Sequence, residues 1–197
     1  MNRGQSSTLL LPDTDDLSYG EHRGEGRPTA FPESMHCGVS TLWCVNLLTP
    51  ASAHDTVELI DFLTDVDLTL SGLDSATVHI WIQRNDAGRI VASTGFELSV
   101  DARNALVRSV AVLPSAQREG SGTRLAKFAL RRASELGAER AWLFSRRSGP
   151  FWQGLGFELA DREELARALP HTHQVRLFTE TGQLAREVAW SHSLTES

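Results

Sequence analysis

Between residues 105 and 136 the chain runs from an apolar strand through a short loop into an amphipathic helix, and few folds accommodate that junction. The strand, 105–112, is Ala-Leu-Val-Arg-Ser-Val-Ala-Val and is stopped by Pro114. The loop carries Gly120 and Gly122, and the helix over 122–136 places Leu125, Phe128, Ala129, Leu136 and in part Ala133 on one stripe. Arg124, Lys127, Arg131 and Glu135 face the other way, and Gly137 is a natural stop. A helix start presents unpaired N–H groups and the positive end of the helix dipole. Glycine lets a phosphate approach that backbone without a Cβ in the way. The junction therefore predicts an anion cradle suited to a diphosphate. It is not a dinucleotide fingerprint, whose third glycine would fall at Leu125, and it lacks the Lys-Ser/Thr of a nucleoside-triphosphate loop.

The remaining chain predicts one mixed α/β (α+β) domain over 37–192, a mostly antiparallel sheet flanked by helices. Residues 1–36, rich in Gly, Pro and Asp, form an expected disordered tail, and 193–197 a C-terminal tail. A strand is expected over 39–48. A helix begins at Asp55 or Thr56 with Leu59, Ile60 and Leu63 on its inner face and Val57 and Phe62 off the stripe. Strands at 78–84, 89–98 and 105–112 form a meander around the Asn85–Gly88 and 101–104 turns. After the 122–136 helix come a strand at 141–145, a brief helix at 150–155 and a strand from Phe157. A helix capped by Asp161 with Glu164 follows, and final strands are expected at 175–178 and 187–190.

Gln117-x-x-Gly120-x-Gly122 resembles the (Q/R)-x-x-G-x-(G/A) pyrophosphate loop of the GNAT superfamily of N-acetyltransferases. The downstream order of helix, strand, short helix and Leu155-Gly156-Phe157 is similar too. Specific motifs lie within 107–157, and element order extends the likeness over about 39–190. The resemblance implies a GNAT-like fold with acetyl-CoA as the acetyl-donor cosubstrate. Val110, Ala111 and Val112 would run beside the pantetheine arm as a strand does beside its neighbour. Gln117, Arg118, Glu119, Gly120, Ser121, Gly122 and Thr123 would hold the diphosphate, with Phe151 and Trp152 flanking the donor. The amine attacks the thioester directly, so no enzyme nucleophile is needed.

An attacking amine must lose a proton, and Glu97, near the end of the second meander strand, is the candidate base. His79 is a second option, and a water route to solvent a third. Many family members carry a tyrosine on the short helix to meet the leaving sulfur. Here that place is Phe151-Trp152, the only tyrosine is Tyr19, and Ser145 is the candidate hydrogen-bond donor. Arg108, Arg146 and Arg147 are cations suited to an acidic or amino-acid-like amine acceptor. A narrower likeness, on Arg108–Val112, Pro150-Phe151, Leu155–Phe157 and Asp161-Arg162, is to the small amino-acid-type acetyltransferases associated with arsenical resistance. Those typically end in a Cys-Pro segment, whereas this chain has Thr179-Glu180-Thr181-Gly182.

Nucleic acid is disfavoured by a net charge of −6. No run approaches the ~18 apolar residues of a membrane span, and the reading is of a cytoplasmic protein. Cys37 and Cys44 are read as reduced thiols, and His171-x-His173, placed on a strand, lacks a nearby third ligand, so no metal is expected. An exposed strand edge leaves room for a homodimer. Two other readings stay open: an acetyltransferase for a protein or peptide, and a silent acetyl-CoA-binding regulatory domain.

Overall fold

The computed structural model describes residues 47–195. The expected tail, Tyr19, both cysteines and nearly all of the 39–48 strand lie outside them. Within the described residues a seven-stranded sheet has the order β1-β2-β3-β4-β5-β7-β6. The strands are β1 (Thr49–Pro50), β2 (Val78–Arg84), β3 (Ile90–Leu98), β4 (Asn104–Val112), β5 (Arg140–Phe144), β6 (Glu158–Ala160) and β7 (Ala189–Ser193). The helices are α1 (Thr56–Asp65), α2 (Ser121–Glu135), α3 (Gly149–Gly154), α4 (Arg162–Ala168) and α5 (His173–Glu180). Only β4 and β5 pair in parallel, across the α2 crossover, and the other pairings are antiparallel. This is the mixed sheet that the sequence predicts.

Local chemistry sets the meander. The Asn85 side-chain oxygen accepts the N–H groups of Ala87 and Arg89, closing the β2–β3 turn, and Asp101 accepts from Ser99 Oγ and Arg103 N between β3 and β4. Helix α2 packs Leu125, Ala126, Ala129, Leu130 and Ala133 on one face of the sheet, against Phe96, Val107, Val110 and Val112. On the opposite face α1 covers Ile80, Ile82 and Ile90, while α4 and α5 cover Leu106, Trp142 and Phe144. Thus β4 lies at the centre with a hydrophobic layer on each side.

Four expectations are corrected. Residues 175–178 belong to helix α5, not a strand: Val175 and Phe178, one turn apart, are buried while Arg176 faces outward. In α1, Phe62 is buried at 4 % exposure and Ile60 is exposed at 37 %, because the stripe that meets the sheet runs Leu59, Phe62, Leu63 and Val66. In α2, Leu136 lies past the last turn and is exposed, and Leu130 takes the inner position. The last strand runs over Ala189–Ser193 rather than 187–190, and the Leu194 N–H donates to the Glu139 carbonyl.

Candidate active site

Pairing between β4 and β5 is confined to Asn104–Leu106 against Arg140–Trp142. Beyond Leu106 the two strands part, and among the described residues the 107–112 edge of β4 has no strand partner on that side. On its other side β4 pairs with β3 along its length, but Ser93 faces Ala111 while Gly95 faces Arg108. One extra residue is therefore accommodated in β4, with Ser109 in the left-handed region at φ 56°. This bulge shifts the alternation: Ala105 and Val107 face α2, and so do Val110 and Val112. The Ser109 carbonyl is held by the Ser93 hydroxyl at 2.6 Å.

The open strand leads directly to the glycine loop. Gly120 precedes α2 at φ 74°, a backbone that L side chains rarely adopt, and no side chain caps this helix start. Arg118 N donates to Ser121 Oγ and Ser121 N to the Arg118 carbonyl, which folds the loop tightly. Arg118, Glu119 and Gly120 are exposed, and the Gln117 side chain reaches the Val112 carbonyl at 3.4 Å. A 15-residue helix thus points an uncapped N terminus at the end of the parted strands, and an anionic diphosphate fits that cradle.

A match to the family model described as "Acetyltransferase (GNAT) family" spans residues 48–157, more than half of the chain. The chain belongs to the GNAT acetyltransferase family. Its fold is similar to that of N-acetylglutamate synthase from Neisseria gonorrhoeae, crystallised with coenzyme A and N-acetyl-glutamate, at 21 % identity and a TM-score of 0.60. That alignment covers 76 % of this chain and 35 % of the synthase, so this chain spans about a third of that protein's length. A GNAT-family acetyltransferase from Staphylococcus aureus Mu50 aligns at 13 % identity and a TM-score of 0.59, covering 76 % of this chain and 99 % of that one. A Mycobacterium tuberculosis protein in complex with CoA aligns over the same shares, at 16 % identity and the same TM-score. No curated protein matches in sequence. This GNAT chain therefore has an acetyl-transfer fold, and CoA is the ligand of two of these three structural relatives.

On the face of β4 opposite α2, the GNAT domain carries a buried polar cluster. Arg108 and Glu97 face one another with Nη1 and Oε2 3.6 Å apart, each side chain only 1 % exposed. Arg108 Nη2 donates to the Thr69 carbonyl at 3.1 Å, while Nε and Nη1 have no hydrogen-bond partner. Burial lowers the guanidinium to about 10, with the Glu97 carboxylate acting the other way, so it stays charged near neutrality. Glu97 accepts the His173 main-chain N–H at 2.9 and 3.0 Å, and His173 Nδ1 lies 2.7 Å from its Oε1. The segment between α1 and β2 roofs this cluster: Thr69 Oγ1 accepts from Gln174, and Gly72 lies close beside the His173 ring. A Cβ at Gly72 would stand 2.3 Å from the ring's Cγ.

The other expected residues fall elsewhere around the parted strands. Ser145, buried at the end of β5, accepts the Ser148 N–H on its hydroxyl and the Trp190 indole N–H on its carbonyl, and so shapes the turn into α3. Arg146 lies 3.6 Å from the buried carboxylate of Glu187, and Arg147 is exposed. Trp152 is packed edge-on between Phe151 and Phe157, ring centroids 5.0 and 5.2 Å away, as a member of the α2-side core. His79 lies tilted against Phe96 on that same side, away from Glu97, and burial, then Arg132, lowers its ring below the usual histidine value. The sequence reading brought Glu97 and Arg108 forward separately and missed that they pair. It weighed His173 only with His171 as a metal pair on a strand, whereas His173 opens helix α5 against Glu97, and it passed over Thr69 and Gln174.

Proposed function

We propose that this protein transfers the acetyl group of acetyl-CoA directly to the amine of a small, amino-acid-like molecule. The observation that carries the donor half is the parting of β4 from β5 beyond Leu106, ending at the uncapped start of α2. The pantetheine arm fits the free edge of Val110–Val112, and the diphosphate fits the backbone from Arg118 to Thr123. The bulge at Ser109 lies where the thioester would sit in that arrangement.

The acceptor half rests on Arg108, a buried cation one residue before the bulge with two nitrogens lacking hydrogen-bond partners. A carboxylate accepting from either nitrogen would supply a charge-assisted hydrogen bond that the fold itself does not make. Arg146, after β5, offers a second cation. The likeness to the small amino-acid-type acetyltransferases, and the amino-acid product bound in the Neisseria synthase, support the same acceptor class. In the reaction the free amine attacks the thioester carbonyl, and the thiolate leaves with the sulfur pair. With an ordinary thiol value of about 8.5 it departs without a dedicated acid. Removal of the amine's proton falls to the Glu97 cluster.

The test is CoA release by the full chain with acetyl-CoA and a panel of amino acids, neutral amines, polyamines and short peptides. Turnover is expected with acceptors that bear a carboxylate near the amine. Turnover only with peptides or polyamines, or acetyl-CoA binding with no turnover, would overturn the proposal.

A further inference from the structure

Glu97 is poorly placed to take a proton from a substrate itself. Its Oε1 accepts from His173 N, faces His173 Nδ1 and lies 3.4 Å from Thr77 Oγ1. Its Oε2 accepts from His173 N and faces Arg108. Each of these groups donates to or faces the carboxylate, and at 1 % exposure it is shut off from solvent. His173 is different. Its side chain is 35 % exposed, Nδ1 is turned to Glu97, and Nε2 has no hydrogen-bond partner among the described residues. Gly72 leaves room for the ring, since a Cβ there would stand 2.3 Å from its Cγ.

We infer that His173 takes the proton from the acceptor ammonium and that Glu97 is the positioning residue that holds its ring. This rests on the proposed acetyl transfer. Neutral His173 keeps its proton on Nδ1, which donates to Glu97 Oε1, and so carries a lone pair on Nε2. The ammonium N–H bond breaks, its electron pair stays on nitrogen as the nucleophile, and the proton moves to Nε2. The imidazolium then stands against the Glu97 carboxylate and returns the proton to water through its exposed edge. The logic is that of a histidine base oriented by a buried acid, here serving a substrate amine rather than an enzyme nucleophile. The charged group facing His173 is Glu97 from β3, with Arg108 behind it from β4. Arg176, one turn along α5, is exposed and pairs with Glu180, Gly72 beside the ring lies in the uncharged segment 68–73, and His171 is exposed two residues earlier.

The experiment compares the full-length wild type with His173→Gln and Glu97→Gln, and with Glu97→Asp should the amide fail to fold. For wild type, kcat/KM should rise with pH along a limb set by one ionisation. His173→Gln should lose that limb and about 100-fold in kcat, with the acetyl-CoA dissociation constant within twofold of wild type. In Glu97→Gln the limb should move to lower pH, because the imidazolium loses its counter-charge. The His173 ring, followed by NMR without acceptor, should titrate lower in the Glu97 variant than in wild type. A His173→Gln enzyme with wild-type kcat/KM and its pH limb intact would overturn the inference, as would a ring midpoint indifferent to Glu97. Wild type that turns over no acceptor fails the proposed reaction instead, and the NMR titration still decides whether Glu97 governs the ring.

Discussion

Arg108 on β4 and Glu97 on β3 form a buried ion pair, 3.6 Å apart, whose geometry leaves two guanidinium nitrogens without hydrogen bonds. A pair built only for stability would make those bonds, since an unmade bond on a buried charged group is costly. Arg108→Met should destabilise the fold by about 3 kcal/mol, because it leaves Glu97 buried without its cation. Glu97→Gln combined with Arg108→Met should recover most of that loss, since no buried charge remains. Neither variant should regain turnover of a carboxylate-bearing acceptor, and Arg108→Lys should fold but bind that acceptor weakly, a point charge lacking the planar fork. Urea unfolding and acceptor KM measure the two effects separately. If the double variant has wild-type acceptor KM, Arg108 is not the acceptor's anchor.

Gly120 separates conformation from space in the diphosphate loop. A Cβ there would meet nothing within 4 Å, yet the residue sits at φ 74° immediately before α2. Gly120→Ala should therefore cost only about 1 kcal/mol in stability, the strain of a left-handed alanine. The same strain should rotate the first N–H groups of α2 and raise the acetyl-CoA dissociation constant roughly tenfold, equivalent to ~1.4 kcal/mol. Titration with acetyl-CoA by calorimetry measures it. Unchanged affinity would place the diphosphate elsewhere.

The strand–loop–helix junction was legible because its signals are local: Pro114, two glycines and a clean apolar stripe all lie within thirty residues. The bulge left a mark that the reading passed over. The α2-facing residues of β4 go Ala105, Val107, then Val110 and Val112, so the two-residue alternation skips a step at Ser109. Helix α5 was misread because Val-Arg-Leu-Phe suits a strand composition. The spacing of Val175 and Phe178, with Thr172 ahead of the first turn, is the helical signal. In α1 the sequence allows two overlapping stripes, and only contact with Ile80 and Ile82 selects the one through Phe62. No local pattern could join Glu97 to His173, which lie 76 residues apart and meet because α5 packs over the centre of the sheet.

Acid should act on the helix that leads into the acceptor roof. Arg84 on β2 grips Asp55 and Glu58 at 2.6 and 2.5 Å, and Glu58 also accepts the Ile90 N–H, so α1 is tied to the β2–β3 hairpin. The Ser52 hydroxyl and N–H, with Arg84, hold Asp55 down from 3.8 to about 2, and Arg84 with the Ile90 N–H lowers Glu58 from its usual value. A carboxylate whose value is depressed on folding contributes stability that is complete above its unfolded value and lost as pH falls through its folded one. For Asp55 that window runs from about 4 down to about 2. Solvent screening at this partly exposed site reduces the contribution to about 1 kcal/mol. Asp55→Asn should therefore be less stable than wild type by about that much at pH 7, and the gap should narrow below pH 4 and close near pH 2. Urea unfolding of both proteins at pH 7, 4 and 2 tests this. A gap that stays constant down to pH 2 would mean that Asp55 acts through packing and main-chain hydrogen bonds, with its charge contributing nothing to the hold on α1.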